Sequence, residues 1–243
     1  MSSCPSVLEL RQYTLHPGQR DVLIALFERE FIEAQEAHGM RIIGQFRDLD
    51  APDRFVWIRG FSDMTSRREG LAGFYGGAVW KARREAANAT MIDSSNVLLL
   101  RPVRADSGFP APESARPPIG AADERSSLLV ATIVLRDAPV DAAFSAFFER
   151  DVIPLLVEAG TSTIAYFDTE PAENTFPALP VRTGEHVFVW FASFASAERY
   201  REYERRLGES GRWNDDLFPV LAAAAKQPIQ HLRLQPTRRS LLR

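Results

Sequence analysis

Polar and hydrophobic residues alternate over residues 7–14, a strand pattern, and after His16, Pro17 and Gly18 the period changes to that of a helix. Over residues 20–38, Val22, Leu23, Leu26, Phe27, Phe31 and Ile32 recur three and four apart, and Gly39 stands where a C-cap belongs. Strands are predicted over residues 41–48 and 54–61, with the turn DAPD (residues 50–53) between them. Asp63 is the expected N-cap of a helix through the seventies, which the two glycines of FYGGAVW (residues 74–80) interrupt and which resumes over residues 79–88. A strand over residues 96–101 completes the order β-α-β-β-α-β, the ferredoxin-like motif.

The pattern then returns. Phe27, Glu28, Arg29, Ile32 and Gly39 reappear as Phe148, Glu149, Arg150, Ile153 and Gly160, an offset of 121 positions. Phe55, Val56, Trp57, Phe61, Trp80 and Leu99 reappear as Phe188, Val189, Trp190, Phe194, Trp213 and Leu232, an offset of 133. The difference places an insertion in the second copy, for which the Pro-rich residues 170–185 have the right composition. Second-copy strands are expected over residues 128–136, 163–168, 186–194 and 229–234, and helices over 140–159, kinked at Pro154, and 197–225. The fold class is thus α+β: two tandem ferredoxin-like units, residues 1–103 and 128–243, pairing sheet to sheet as an α+β barrel. Residues 104–127, with Pro110, Pro112, Pro117 and Pro118 and no hydrophobic period, read as an exposed linker. The two sheets can cover each other, or each can pair across a homodimer.

Alternation sorts the third strand into Phe55, Trp57, Arg59 and Phe61 on one face and Val56, Ile58 and Gly60 on the other. The small aliphatic set is expected against helices, and the larger set, with Glu9, Arg11, Tyr13 and Gln45 or Arg47, in the space between the sheets. Polar anchors among apolar walls suit a pocket for an anionic or phenolic small molecule. The plainer alternative is that Glu9 pairs with Arg11 or Arg59 for packing alone. Arg59 becomes Ala192 in the second copy, so the charged part of any site belongs to the first. Trp80 serves as a core anchor or stacking partner, and Tyr75, beside two glycines, can reach into a cleft. The polar run from Asn88 to Asn96 is a helix cap and turn, or a loop at the barrel mouth.

A net charge of −3 gives no general attraction to nucleic acid or anionic membrane, and Arg238, Arg239 and Arg243 read as a short solvated tail. No signal peptide or apolar run of membrane-spanning length is present, and the single Cys4 excludes an internal disulfide, so a cytoplasmic protein is expected. His16, His38, His186 and His231 lie in separate segments without metal-ligand spacing; His231 is considered only as a haem ligand. GxSxG, P-loop, HExxH and GxGxxG fingerprints are absent.

ELRQYTLHPGQ (residues 9–19), FVWIRGF (55–61), FYGGAVWKARR (74–84) and AANATMIDSSNVLLLRP (86–102) together resemble the NIPSNAP family. That resemblance implies the dimeric α+β barrel architecture, whose other members include cofactor-independent monooxygenases, muconolactone isomerases and duplicated haem proteins. The expected function is binding of a small apolar or aromatic ligand in the barrel, without a cofactor, by Glu9, Arg11, Gln45, Phe55, Trp57 and Trp80. If the protein is an enzyme, Tyr13 or Tyr75 donates a proton or hydrogen bond and Arg59 stabilises an enolate or phenolate, for oxygenation or isomerisation. The alternatives are a non-catalytic interaction module and haem binding.

Overall fold

Two four-stranded antiparallel sheets, joined at both edges, close into one eight-stranded barrel. The computed structural model describes residues 5–112, 114–121, 126–161 and 164–243; Cys4 lies outside them. The first unit runs β1 (Val7–Leu15), α1 (Arg20–Leu26), a π-helical turn (Phe27–Phe31), α2 (Ile32–Glu36), β2 (Arg41–Asp48), β3 (Arg54–Phe61), α3 (Met64–Gly76), α4 (Ala78–Asn88) and β4 (Met91–Pro102). The second runs β5 (Leu128–Arg136), α5 (Ala142–Phe147), a π turn (Phe148–Val152), α6 (Ile153–Ala159), β6 (Ile164–Thr169), β7 (His186–Phe194), α7 (Ala197–Glu209), a π turn (Arg212–Leu217), α8 (Phe218–Ala223) and β8 (Gln230–Pro236). Around the barrel the order is β1-β3-β2-β8-β5-β7-β6-β4, so each half has the ferredoxin-like arrangement.

The two halves agree in detail. Their first helices carry a π turn at the same place, and both end before a positive-φ glycine, Gly39 at +79° and Gly160 at +121°. Phe27 packs on Trp57 at 4.8 Å and Phe148 on Trp190 at 5.3 Å. Asp63 caps α3 by accepting from Ser66 N, and Ser196 caps α7 by accepting from Arg199 N. The alignment of Leu99 with Leu232 is off by one: Leu99 packs beneath the first unit's helices, whereas Leu232 faces the barrel interior. Register supports Arg233 as the partner of Leu99, since Glu9 faces Leu99 and the corresponding Val130 faces Arg233. The π turn at Arg212–Leu217 lies in that interval, and such a turn accommodates one extra residue.

Leu8, Leu10, Phe46, Val56, Ile58, Leu98, Ala131, Ile133, Phe167, Val189, Phe191 and Leu234 are among the side chains that fill the barrel interior. This reverses the expected faces. An eight-stranded barrel leaves inside it only enough width for side chains to meet, and the aliphatic set occupies that space. Phe55, Trp57 and Phe61 instead point outward, where the helices pack against the sheet with Phe27, Phe31 and Phe74.

The sheets meet along two short seams, Phe46–Asp48 against Leu234–Pro236 and Leu100–Pro102 against Phe167–Thr169. Arg101 and Asp168, opposite one another across the second seam, form an ion pair at 3.0 Å. Each sheet therefore closes the barrel with the other within one chain.

Several local expectations change. The linker is more than an exposed connector: Phe109 enters the barrel core, with ring centroids 5.1 Å from Phe167 and 4.9 Å from Phe191. Arg239 in the tail is buried and paired with Glu33, and Arg116 of the linker donates to its carbonyl at 2.6 Å. The tail and linker thus dock on the first unit through buried guanidinium hydrogen bonds. The polar run at Asp93–Asn96 belongs to β4, whose sequence continues the ladder with β1 through Thr14 and Gln12. Pro154 lies at the start of α6, directly after a π turn, where a missing N–H is tolerated. Phe109→Ala is expected to cost about 3–5 kcal/mol, as for other buried Phe→Ala changes, measurable by denaturant titration.

Candidate functional site

Register places Glu9 opposite Arg59 and Arg11 opposite Trp57 on adjacent strands β1 and β3, with all four side chains on the helix-covered face. Helix α3 adds Arg67, which lies on its buried stripe with Gly70, Leu71 and Phe74. Glu9 Oε2 accepts from Arg11 Nη1 at 2.6 Å and Arg59 Nε at 2.7 Å, and Oε1 accepts from Arg67 Nε at 2.7 Å. Glu9, Arg11, Arg59 and Arg67 are each 0% exposed. Arg59 Nη1 also donates to Gln35 Oε1 at 2.9 Å.

One carboxylate therefore faces three guanidinium groups. Arginine does not lose its proton under ordinary conditions, so the cluster carries an excess of positive charge. Part of that excess rests on aromatic faces: Arg59 Cζ is 5.0 Å from the Trp57 ring centre, and Arg11 Cζ is 5.5 Å from it. Arg11 Nη2, Arg59 Nη2, Trp57 Nε1 and both amide atoms of Gln45 are buried without hydrogen-bond partners among the described residues. Gln45 stands opposite Trp57, which stands opposite Arg11, so these groups share one row across three strands. Unsatisfied donors at this density cost stability and call for an acceptor.

Burial alone pushes the Glu9 carboxyl up, but the pull of Arg59, Arg11 and Arg67 outweighs it and holds the group far below its ordinary value of 4.5. Because the folded value is the lower one, Glu9 contributes its full stabilisation above about pH 4.5 and loses it as pH falls further. A thermal melt series from pH 7 to pH 3 is expected to fall more steeply for the wild type than for a variant lacking the whole cluster. Burial raises the Tyr13 phenol above its ordinary 10.0 despite the opposing Arg11 charge, so Tyr13 is neutral at pH 7. Its oxygen accepts from Arg11 Nε at 3.0 Å, which leaves its own proton to donate.

A cover comes from the other half of the chain. Residues 170–185, the predicted insertion, leave the barrel between β6 and β7 and fold back over the first unit. Arg67 Nη1 donates to Asn174 Oδ1 at 2.9 Å, Thr175 Oγ1 donates to the Met64 carbonyl at 3.1 Å, and Phe176 stacks on Tyr75 at 6.0 Å.

Of the residues expected at a site, Glu9, Arg11, Tyr13, Gln45, Phe55, Trp57 and Arg59 lie on one sheet face, outside the barrel rather than within it. Tyr75 and Trp80 complete the aromatic layer above, 4.8 Å apart and joined through Phe31 and Phe74. Arg47 stands on the same face opposite Phe55 but at its edge, where it pairs with Asp21 at 2.9 Å and does not join the cluster. His231 is exposed on the outer face of β8 with Nδ1 3.2 Å from Thr132 Oγ1, in the other unit. No cluster of His, Cys, Asp or Glu suited to a metal ion exists among the described residues. Nor is any described helix long and apolar enough to cross a membrane.

Arg67 and Gln35 were not legible as site residues, although both stand in the apolar register of their helices: Arg67 with Leu71 and Phe74, Gln35 with Phe31 and Ile32. A polar side chain on an apolar stripe is the signal that finds them. Asn174 gave no such signal, because its position depends on the return of a long loop.

The second unit shows the same fold without the charges. Val130 faces Ala192 where Glu9 faces Arg59, and Thr132 faces Trp190 where Arg11 faces Trp57. Tyr200, four residues past its cap Ser196, stands where Arg67 stands past Asp63.

Comparison with known proteins agrees with this architecture. Residues 8–105 match the NIPSNAP family model. A candidate monooxygenase from Fusobacterium nucleatum aligns over 97% of this chain and 94% of its own at 9% identity and a TM-score of 0.57. An anthrone oxidase-like protein aligns over 95% and 91%, at 12% identity and a TM-score of 0.55. At these identities the likeness is one of fold. A NIPSNAP family protein from Agrobacterium tumefaciens is 24% identical over 40% of this chain and 88% of its own, with a TM-score of 0.38. No curated protein sequence matches significantly. Over residues 8–105, which are the first unit, the chain carries a NIPSNAP domain.

Proposed function

We propose that the first unit binds a small aromatic molecule bearing an enol or phenol hydroxyl, between its sheet and its helices, and oxygenates it with dioxygen without a cofactor. The observation that carries this reading is the charge excess at Glu9, with partnerless Nη2 atoms on Arg11 and Arg59. An oxyanion placed there supplies both the missing charge and the missing acceptor. The rings of Phe27, Phe31, Trp57 and Phe74 provide an aromatic setting for the rest of the molecule.

Glu9 is too weak a base to take the substrate's proton, because its arginine partners hold it ionised. Its role is to fix the guanidinium groups, while the docking hydroxyl releases its proton to water. The resulting carbanion-like ring carbon reduces dioxygen; one oxygen atom becomes a carbonyl on that carbon, and the other leaves as water with the two hydrogens lost from substrate. Neutral Tyr13 is placed to donate a hydrogen bond to the anion. Anthrone tests the reaction, since conversion to anthraquinone consumes one dioxygen and releases one water. Oxygen uptake matched to anthraquinone formation is expected from the wild type; enzyme-independent rates at all enzyme concentrations would refute oxygenation.

A further inference from the structure

The described side chains close completely over Glu9, Arg11 and Arg59, so a ligand reaches them only if part of the cover moves. Residues 170–185 are the part of the cover that is a loop rather than a helix. Asn174, Thr175, Phe176 and Leu179 remain partly exposed while contacting the first unit. The segment also has the features of a self-supporting loop: Phe176 N donates to Asn174 Oδ1 at 3.1 Å, Asn174 Nδ2 donates to the Leu179 carbonyl at 2.8 Å, and Thr169 Oγ1 ties its ends by donating to the Glu185 carbonyl at 3.2 Å. Glu170 N and Arg182 N anchor it to β4 by donating to the Leu99 and Val97 carbonyls, each at 2.9 Å, so the stretch between those anchors is the part able to shift.

Behind it lies a cleft of about 410 Å³, lined by Leu99, Asn174, Arg182 and residues of the loop. Leu99 lies beside Glu9 across the β1–β4 ladder, and Asn174 accepts from Arg67, which holds Glu9. Arg67, bonded through Nη1 to Asn174 Oδ1 at 2.9 Å and to Thr175 Oγ1 at 3.4 Å, thus stands between the cleft and the arginine cluster.

We propose that residues 170–185 of the second unit form the removable wall of the first unit's ligand site, with Asn174 and Phe176 controlling which molecules pass from the cleft to Arg11 and Arg59. This rests on the ligand-site reading above and gives the second unit a task. Its own equivalent of the site is apolar, yet it supplies the longer loop that closes its neighbour's. Arg67 is a positioning residue in this account, shared between Glu9 on one side and the wall on the other.

The test needs no substrate. With Cys4→Ser and Leu99→Cys, the sole thiol sits behind the wall, and its native-state labelling by Ellman's reagent reports opening. Asn174→Ala and Phe176→Ala are each expected to accelerate labelling at least tenfold with the melting temperature preserved. Thr175→Val, which removes the bonds of Thr175 Oγ1 to the Met64 carbonyl and to Arg67 Nη1, guards against a folding failure and is expected to accelerate it severalfold. Unchanged labelling in the folded variants overturns the wall. Accelerated labelling in a protein that neither binds nor oxygenates anthrone sinks the functional reading and leaves the wall standing.

Discussion

Glu9→Ala is expected to destabilise the protein by about 3–5 kcal/mol, the usual consequence of removing one member of a buried ionic group. Three guanidinium groups at 0% exposure would be left facing each other with no carboxylate between them. The loss exceeds what the ion pairs themselves contribute, because the uncompensated charges keep their full desolvation cost. The second unit shows the way out: replacing the whole set as Glu9→Val, Arg11→Thr, Arg59→Ala and Arg67→Tyr removes the charges together. That variant is expected within about 2 kcal/mol of the wild type, since buried ionic clusters often exchange for apolar groups at little net cost. Urea titrations of both variants decide the matter. A quadruple variant as unstable as Glu9→Ala would mean that the cluster is there for packing.

Arg59→Met has the largest expected effect on chemistry. Arg59 offers a buried Nη2 without a partner, and losing one preorganised donor to a developing oxyanion lowers turnover by about 10²–10³. The change should fall on kcat more than on KM for anthrone, because the negative charge is fuller in the transition state than in the neutral substrate. Arg11 still pairs with Glu9 in this variant, so the fold remains. Equal turnover in wild type and Arg59→Met would remove Arg59 from the mechanism.

The strands were legible because their alternation is strong, and β2 and β3 carry the expected bounds. The repeat was legible because Phe27 and Trp57, like Phe148 and Trp190, pack on each other. The face of the site was not. Alternation separates Phe55, Trp57 and Arg59 from Val56 and Ile58 but does not say which set turns inward; that depends on closure through the β2–β8 and β4–β6 seams. The width of a closed barrel then favours the aliphatic set, and the bulky and charged set goes beneath the helices. The cover by residues 170–185 was also illegible, since an insertion's composition marks its presence and not its destination. Phe109 and Arg239 show the same limit, each anchoring a segment whose composition reads as exposed.

The central claim is that the excess charge around Glu9 exists to hold an anionic aromatic ligand. Anaerobic calorimetric titration with anthrone, run in parallel on the wild type and on the folded quadruple variant, tests it most directly. The account predicts one anthrone per wild-type chain, with proton release into the buffer, and no binding to the variant. Binding of equal strength to both proteins would contradict it.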